Sequence, residues 1–337
     1  MKKEGNLYDT IISPANLRLA DEKARKGKFH TYGVQVHDRN KEANLLQLHE
    51  QLKNQTFKTS DYNVFKIYEP KERDIYQLPY FPDRIVHHAV MNVLEPIWVS
   101  IFTRDTYSCI KGRGIHAAAQ SVKMALRNDP EGTVYCLKID IKKFYPSIDH
   151  EILKQLIARR IKDKRLLWLL GEIIDSVPDG EGVPIGNYLS QYFANLYLAY
   201  FDHWMKEVKQ VKHYWRYADD IVVLSGSKEY LHNLLDEMHA YLHDNLKLKI
   251  KENWQVFPVE SRGVDFVGYV FKHSHTLMRK SIKQTFARKV ASLNKREGIS
   301  ENEYLQALCP WWGWALHCDS NNLINKFNKT SKYEIKF

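Results

Sequence analysis

Three aspartates carry the strongest chemical signal in this sequence. Asp140 ends the apolar run "YCLKID", and Asp219 and Asp220 stand side by side in "HYWRYADDIVVL". Tyr and Trp before the pair, and Ile and Val after it, read as strand. Burying one unpaired carboxylate costs several kcal/mol, and two of like sign cost more. Either the pair lies in a surface hairpin turn, or positive charge sits against it. Asp140 gives weight to the second reading, because an acid at a strand end and a pair in a hairpin converge when their strands are neighbours. Three converging carboxylates suit divalent cations, and Mg²⁺ prefers a few carboxylates together with substrate phosphates. Two such ions about 3.5–4 Å apart activate an attacking hydroxyl and stabilise a leaving pyrophosphate. Asp140, Asp219 and Asp220 are thus candidate metal ligands, with the Ile141 carbonyl as a further oxygen.

The elements that must position them follow from periodicity. Residues 14–58 read as helices broken near "KGKFHTYGVQVHD", and 62–78 as a strand pair around "EPKERD". A helix is expected over "PDRIVHHAVMNVLEPIW", with Ile85, Ala89, Val93 and Leu94 at helical spacing. One or two more are expected over 150–176 and another over 190–208. Short strands interrupt them in "TVYCLKIDI", "WRYADDIVVL", "LKLKIKE" and "VDFVGYVF". Beyond residue 278 the chain reads as helical and basic. Helices alternating with hairpins predict an α+β fold, an antiparallel sheet with helices on one face.

Composition narrows the partner. The 337 residues carry a net charge of +10, with 12% aromatic residues, which fits nucleic acid better than a membrane surface. A basic start without an apolar stretch argues against a signal peptide, and no run approaches the roughly 20 apolar residues of a membrane span. Cys109, Cys136, Cys309 and Cys318 lack metal or disulfide spacing, as expected in a reducing, bacterial-type cytoplasm.

The motifs resemble those of reverse transcriptases. Tyr-Ala-Asp-Asp at 217–220 is similar to their catalytic motif, and Asp140 with Tyr145 to their first palm motif. "LPYFPDRIVHHAVMNVLEPIW" and "CIKGRGIHAAAQSV" resemble the fingers motifs. "GVPIGNYLSQYFANLYL" resembles the template- and nucleotide-contacting motif, "LKLKIKEN" a palm strand, and "FVGYVF" the primer-grip hairpin. The resemblance implies a right-hand polymerase with fingers over 1–133, a palm with an antiparallel sheet over 134–276, and a helical thumb over 277–337. "CIKGRGIH", "IGNYLSQ" and "WWGWALH" are most similar to the enzymes of diversity-generating retroelements. Those copy a template RNA into cDNA with errors at adenines, and work with a small basic accessory protein. Retron, group II-type and phage-defence enzymes are the alternatives, and a non-catalytic RNA-binding descendant is a rival of another class.

Within that resemblance, Asp140, Asp219 and Asp220 are catalytic, holding two Mg²⁺ with Mn²⁺ as a substitute. Lys111 and Arg113 suit the triphosphate of a dNTP, because flexible glycines let cations and backbone N–H groups approach phosphate. Tyr145 corresponds to the steric-gate aromatic under the sugar. Ile185 stands where most relatives have Gln, and Gly186 permits close backbone approach to the nascent pair. Gln191 either anchors its loop or touches the template. Gly268 in the primer-grip-like turn, with Lys283 and Arg288 on a basic helix, are candidate contacts to template and cDNA primer. His87 and His88 read as structural histidines or phosphate contacts, and Trp311, Trp312 and Trp314 as thumb core or a stacking platform.

Overall fold

A computed structural model describes residues 3–68 and 72–335. In chain order, helices α1 (Tyr8–Ile12), α2 (Pro14–Ala24), α3 (Tyr32–Asp38) and α4 (Lys41–Lys53) precede strands β1 (Asn63–Ile67) and β2 (Arg73–Gln77). Helices α5 (Ile85–Val99) and α6 (Ile115–Asn128) lead to β3 (Tyr135–Asp140), followed by α7 (His150–Ala158), α8 (Lys164–Ile174) and α9 (Tyr188–His203). Next come β4 (His213–Tyr217), β5 (Asp220–Ser225), α10 (Lys228–Leu246), β6 (Gln255–Pro258) and the single turn α11 (Val259–Arg262). Strands β7 (Val264–Phe266), β8 (Tyr269–Phe271) and β9 (Thr276–Met278) are followed by α12 (Lys280–Asn294), α13 (Glu301–Leu316) and α14 (Asn321–Asn328). Among the described residues no helix is long and apolar enough to cross a membrane, and all four cysteines are free.

The chain forms two compact units. The first runs to Arg104 and takes in Ile141–Trp204 and His239–Ile250. Its helices start where side chains satisfy the orphan N–H groups. Ser13 caps α2 with Pro14 in the first turn, Asp149 caps α7, and Asp163 caps α8 while also accepting from the Leu7 and Tyr8 amides. Helix α5 buries Ile85, Ala89 and Leu94 of the expected stripe, together with Val86, Val90 and Trp98, while Val93 is half-buried. Of the break expected over 26–38, only residues up to 31 are non-helical, because Tyr32–Asp38 forms α3. Strands β1 and β2 pair antiparallel from Asn63↔Gln77 to Ile67↔Arg73; residues 69–71 of the expected turn lie outside the described residues.

The second unit takes in Asp105–Asp140, Met205–Met238 and Lys251 onward. Its four-stranded antiparallel sheet has the order β4-β5-β3-β6. The central strands β3 and β5 read as nearly continuous apolar runs because both faces are covered; Leu137, Ile139, Ile221, Val222 and Val223 are buried. Beyond β4, the Arg216 N–H donates to the Asp105 carbonyl and the Tyr107 N–H to that of Arg216, so the outer edge is paired. The sequence expectation of a strand over 246–252 is not met. Helix α10 continues to Leu246, Lys247 takes a positive φ of 52°, and only an isolated bridge joins Ile250 to Ile141. The ladder partner of β3 is instead β6.

A three-stranded sheet, β7-β8-β9, lies in the same unit. Val267 and Gly268 form its first turn with φ values of 43° and 88°. The Trp314 ring packs over Gly268 and lies 5.2 Å from the Tyr269 ring, while Trp311 stacks on Phe286 at 5.6 Å. These two tryptophans are core. Gly268→Ala would drive a methyl into the Trp314 ring at a backbone angle that disfavours Cβ. We expect a loss of about 2–4 kcal/mol in a urea titration, and an unchanged midpoint would show that the turn is loosely packed.

Candidate active site

The register of two strand pairs assembles the acidic cluster. Asp140 at the end of β3 lies opposite Asp220 at the start of β5, and Tyr217 at the end of β4 also pairs with Asp220. Asp219 and Ala218 form the two-residue turn between β4 and β5, with Ala218 at φ 54°. A non-glycine residue in that region is strained, and such strain concentrates at functional sites. The fully buried Arg216 holds the turn by donating from Nη1 to the Ala218 carbonyl at 3.0 Å.

The cluster is short of counter-charge. Asp219 is raised above the usual carboxylate range, chiefly by burial and then by the Asp140 charge beside it. Asp220 is pushed up to about 6, again chiefly by burial, with Asp140 raising it and Lys138 and Arg279 opposing. Two lysines partly neutralise the group. Lys251 donates to Asp140 Oδ1 at 2.5 Å, and Lys138 Nζ lies 3.5 Å from Asp220 Oδ2 while donating to the Asp265 carbonyl. Asp220 Oδ1 is buried without a hydrogen bond. A cleft of about 380 Å³ opens beside Lys138 and Asp140, lined further by Asn253, Gln255, Arg262 and Asp265.

Among the described residues no group of three His, Cys, Asp or Glu side chains could by itself hold a metal ion. The donor set nevertheless fits Mg²⁺, which completes its shell with waters and substrate phosphates rather than a protein cage. The unpartnered Asp220 oxygen and the raised carboxylates mark where cationic charge would be stabilising. Ile141, next along the chain, is buried, with its backbone bridged to Ile250.

The same unit carries Lys111 and Arg113 in the turn that opens α6. The Arg113 N–H donates to the Ile110 carbonyl at 3.0 Å, Gly112 sits at φ 78°, and Lys111 is exposed. Gly114 at the helix start offers no capping side chain, so first-turn N–H groups remain for an anion. Lys283 and Arg288 are exposed on α12, whose Phe286, Val290 and Leu293 are buried.

The remaining sequence candidates belong to the first unit. Tyr145 is half-buried, its ring edge-on to Phe144, and its carbonyl accepts from the Val183 N–H at 3.0 Å. Ile185 is half-buried and Gly186 exposed at φ 118°. Gln191 is exposed in the first turn of α9. His87 is buried and His88 stacks on Tyr188 at 4.6 Å; both are held well below the usual imidazole range, chiefly by burial. Burial keeps both neutral, as expected of structural histidines. The sequence reading did not single out Lys138, Lys251, Arg216 or Arg279. Alternation places Lys138 two residues before Asp140 on the same strand face, a signal that was available.

Residues 69–271 match the family described as reverse transcriptase (RNA-dependent DNA polymerase). The chain is 26% identical to protein YkfC of Escherichia coli, covering 72% of this chain and 74% of that one. It is 22% identical to the group II intron-encoded protein LtrA of Lactococcus lactis, covering 57% of this chain and 43% of LtrA. The apo telomerase of Candida tropicalis superposes with a TM-score of 0.51 at 12% identity, over 82% of this chain and 60% of that one. The chain thus spans less than two thirds of LtrA and of the telomerase, and has the right-hand polymerase fold.

The buried acids make a thermodynamic prediction. An acid whose folded pKa exceeds its unfolded value weakens the fold as pH rises through that interval. Without divalent cations, Asp220→Asn should therefore melt about 2–5 °C above wild type at pH 8, the gap closing by pH 4. A variant melting below wild type at pH 8 would show that Lys138 overcompensates the charge.

Proposed function

The chain belongs to the reverse transcriptase family, and on that premise we propose that it copies a template RNA into cDNA within a diversity-generating retroelement, with frequent errors at template adenines. The single observation that carries the polymerase reading is the register setting Asp140 opposite Asp220, with Asp219 in the adjoining turn. In-line attack of a primer 3′-hydroxyl on the α-phosphate of a dNTP requires little covalent help from protein, so positioning and charge dominate. Asp140, Asp219, Asp220 and the Ile141 carbonyl would hold divalent cations, whose charge would activate that hydroxyl and neutralise the leaving pyrophosphate. Lys251 and Lys138 keep the carboxylates compensated beforehand, and Lys111, Arg113 and the α6 N-terminus bind the triphosphate. Tyr145 excludes a 2′-hydroxyl from the sugar position. Gln191, Gly268, Lys283 and Arg288 contact template and primer, and the net charge of +10 supports RNA as the partner. The limbs are fingers over 1–133, palm over 134–276 and thumb over 277–337.

Support for the retroelement type is the sequence of the 185–191 segment, Ile-Gly-Asn-Tyr-Leu-Ser-Gln. A Gln at 185 would offer a hydrogen bond near the incoming nucleotide, and Ile offers none. Losing a bond worth about 0.5–1.5 kcal/mol raises misincorporation several-fold. The preference for adenine rests on the family resemblance, as does a small basic accessory protein. A group II-type role is the second reading, favoured by the alignment with LtrA.

One experiment addresses both levels. cDNA made from one RNA template by wild type and Ile185→Gln is sequenced, with Asp219→Asn as control. Asp219→Asn should make none while still binding RNA, and Ile185→Gln should lower errors opposite adenine. Synthesis by Asp219→Asn would remove the catalytic assignment. Equal error spectra at adenine would show that Ile185 is only a packing residue.

A further inference from the structure

The 185–187 turn is held from outside by the β1–β2 hairpin. The Tyr76 N–H of β2 donates to the Ile185 carbonyl at 2.9 Å. A Cβ on Gly186 would lie 3.2 Å from both Ile75 Cγ2 and the Tyr76 carbonyl oxygen. Gly186 is therefore required by its φ of 118° and by the strand seated against it. A third hold comes from Tyr62, just before β1. Its hydroxyl lies 2.7 Å from Ser176 Oγ, and Ser176 itself donates to the Ile173 carbonyl at 2.7 Å, so Tyr62 is the donor to Ser176. Anchored on Ser176, the Tyr62 ring meets that of Tyr76 edge to face at 5.6 Å, so Tyr62 acts on the turn through Tyr76.

The rest of the hairpin is loosely attached. Val64, Phe65 and Tyr68 are 50%, 43% and 70% exposed, so few apolar contacts anchor it away from the turn. The position of Ile185, the residue that departs from the usual Gln, is thus held by a strand more than a hundred residues earlier in the chain.

We propose that Tyr62, Ile75 and Tyr76 are positioning residues that fix the 185–187 turn, so that nucleotide specificity is set jointly by Ile185 and the strand clamped to it. The proposal rests on the reading of this chain as a template-copying polymerase. It assigns specificity to residues that need not touch the nucleotide. Loosening the clamp changes the wrong-to-right ratio more than the rate with the right nucleotide.

The test uses Tyr62→Phe, which removes one hydroxyl, Ile75→Ala, and Val64→Ala as a control in the same hairpin. Single-nucleotide incorporation on a defined RNA template gives kcat and KM for matched and mismatched dNTPs. Tyr62→Phe and Ile75→Ala should shift the mismatch ratio by about two- to tenfold, the worth of one hydrogen bond, while Val64→Ala leaves it unchanged. Combined with Ile185→Gln, the effects should be non-additive. Ratios equal to the control, or strict additivity, would overturn the proposal. Hydrogen exchange needs no activity: in Tyr62→Phe the amides of 75–77 and 185–188 should exchange faster together, with the β3–β5 ladder unaffected. If only 75–77 change, the clamp does not exist, whether or not the chain makes DNA.

Discussion

Repulsion among carboxylates at the end of the β3–β5 ladder is the constraint on which the second unit depends. Pairing Asp140 with Asp220, and placing Asp219 in the adjoining turn, concentrates negative charge where burial raises two of the three acids. Such an arrangement is costly for an isolated domain. Lys251 and Lys138 lower the cost, and Arg216, buried without exposure, keeps the turn from relaxing. The strained Ala218 has the same meaning, since a relaxed turn would move Asp219. A fold selected for stability alone would have removed these charges; their retention is intelligible if cationic charge arrives with a substrate.

The supporting elements solve simpler problems. Helix α6 begins at a glycine without a capping side chain, preceded by Lys111 and Arg113, in the same unit as the acids. Trp314 locks the Val267–Gly268 turn by packing where a side chain would otherwise stand. In the first unit, polar caps fix the helix starts, and a hairpin grips the 185–187 turn.

Much of this was legible in the residues. The apolar runs around Asp140 and Asp220 read as strands from local pattern alone, and the cost of burial demanded either a surface turn or a nearby positive charge; the fold supplies both, with Asp219 in a turn and Lys138 beside Asp220. The strand expected over 246–252 failed because alternation in "LKLKIK" also suits a segment crossing a strand end, where Lys249 and Lys251 bond Lys142 and Asp140 through the backbone. The role of Arg216 depends on which face of the hairpin is closed, which no local pattern encodes. The contact of Tyr62 with Ser176 spans more than a hundred residues and has no sequence signal.

Metal uptake tests the central claim most directly, because it asks whether the carboxylate cluster seeks cations before any chemistry occurs. Free Mn²⁺ can be followed by electron paramagnetic resonance as protein is titrated in with primer–template and dNTP present. The account predicts that wild type depletes the free signal, and that Asp140→Asn and Asp219→Asn each weaken uptake about tenfold or more. Identical curves for wild type and both variants would contradict it, and would leave the buried acids of this sheet without a function.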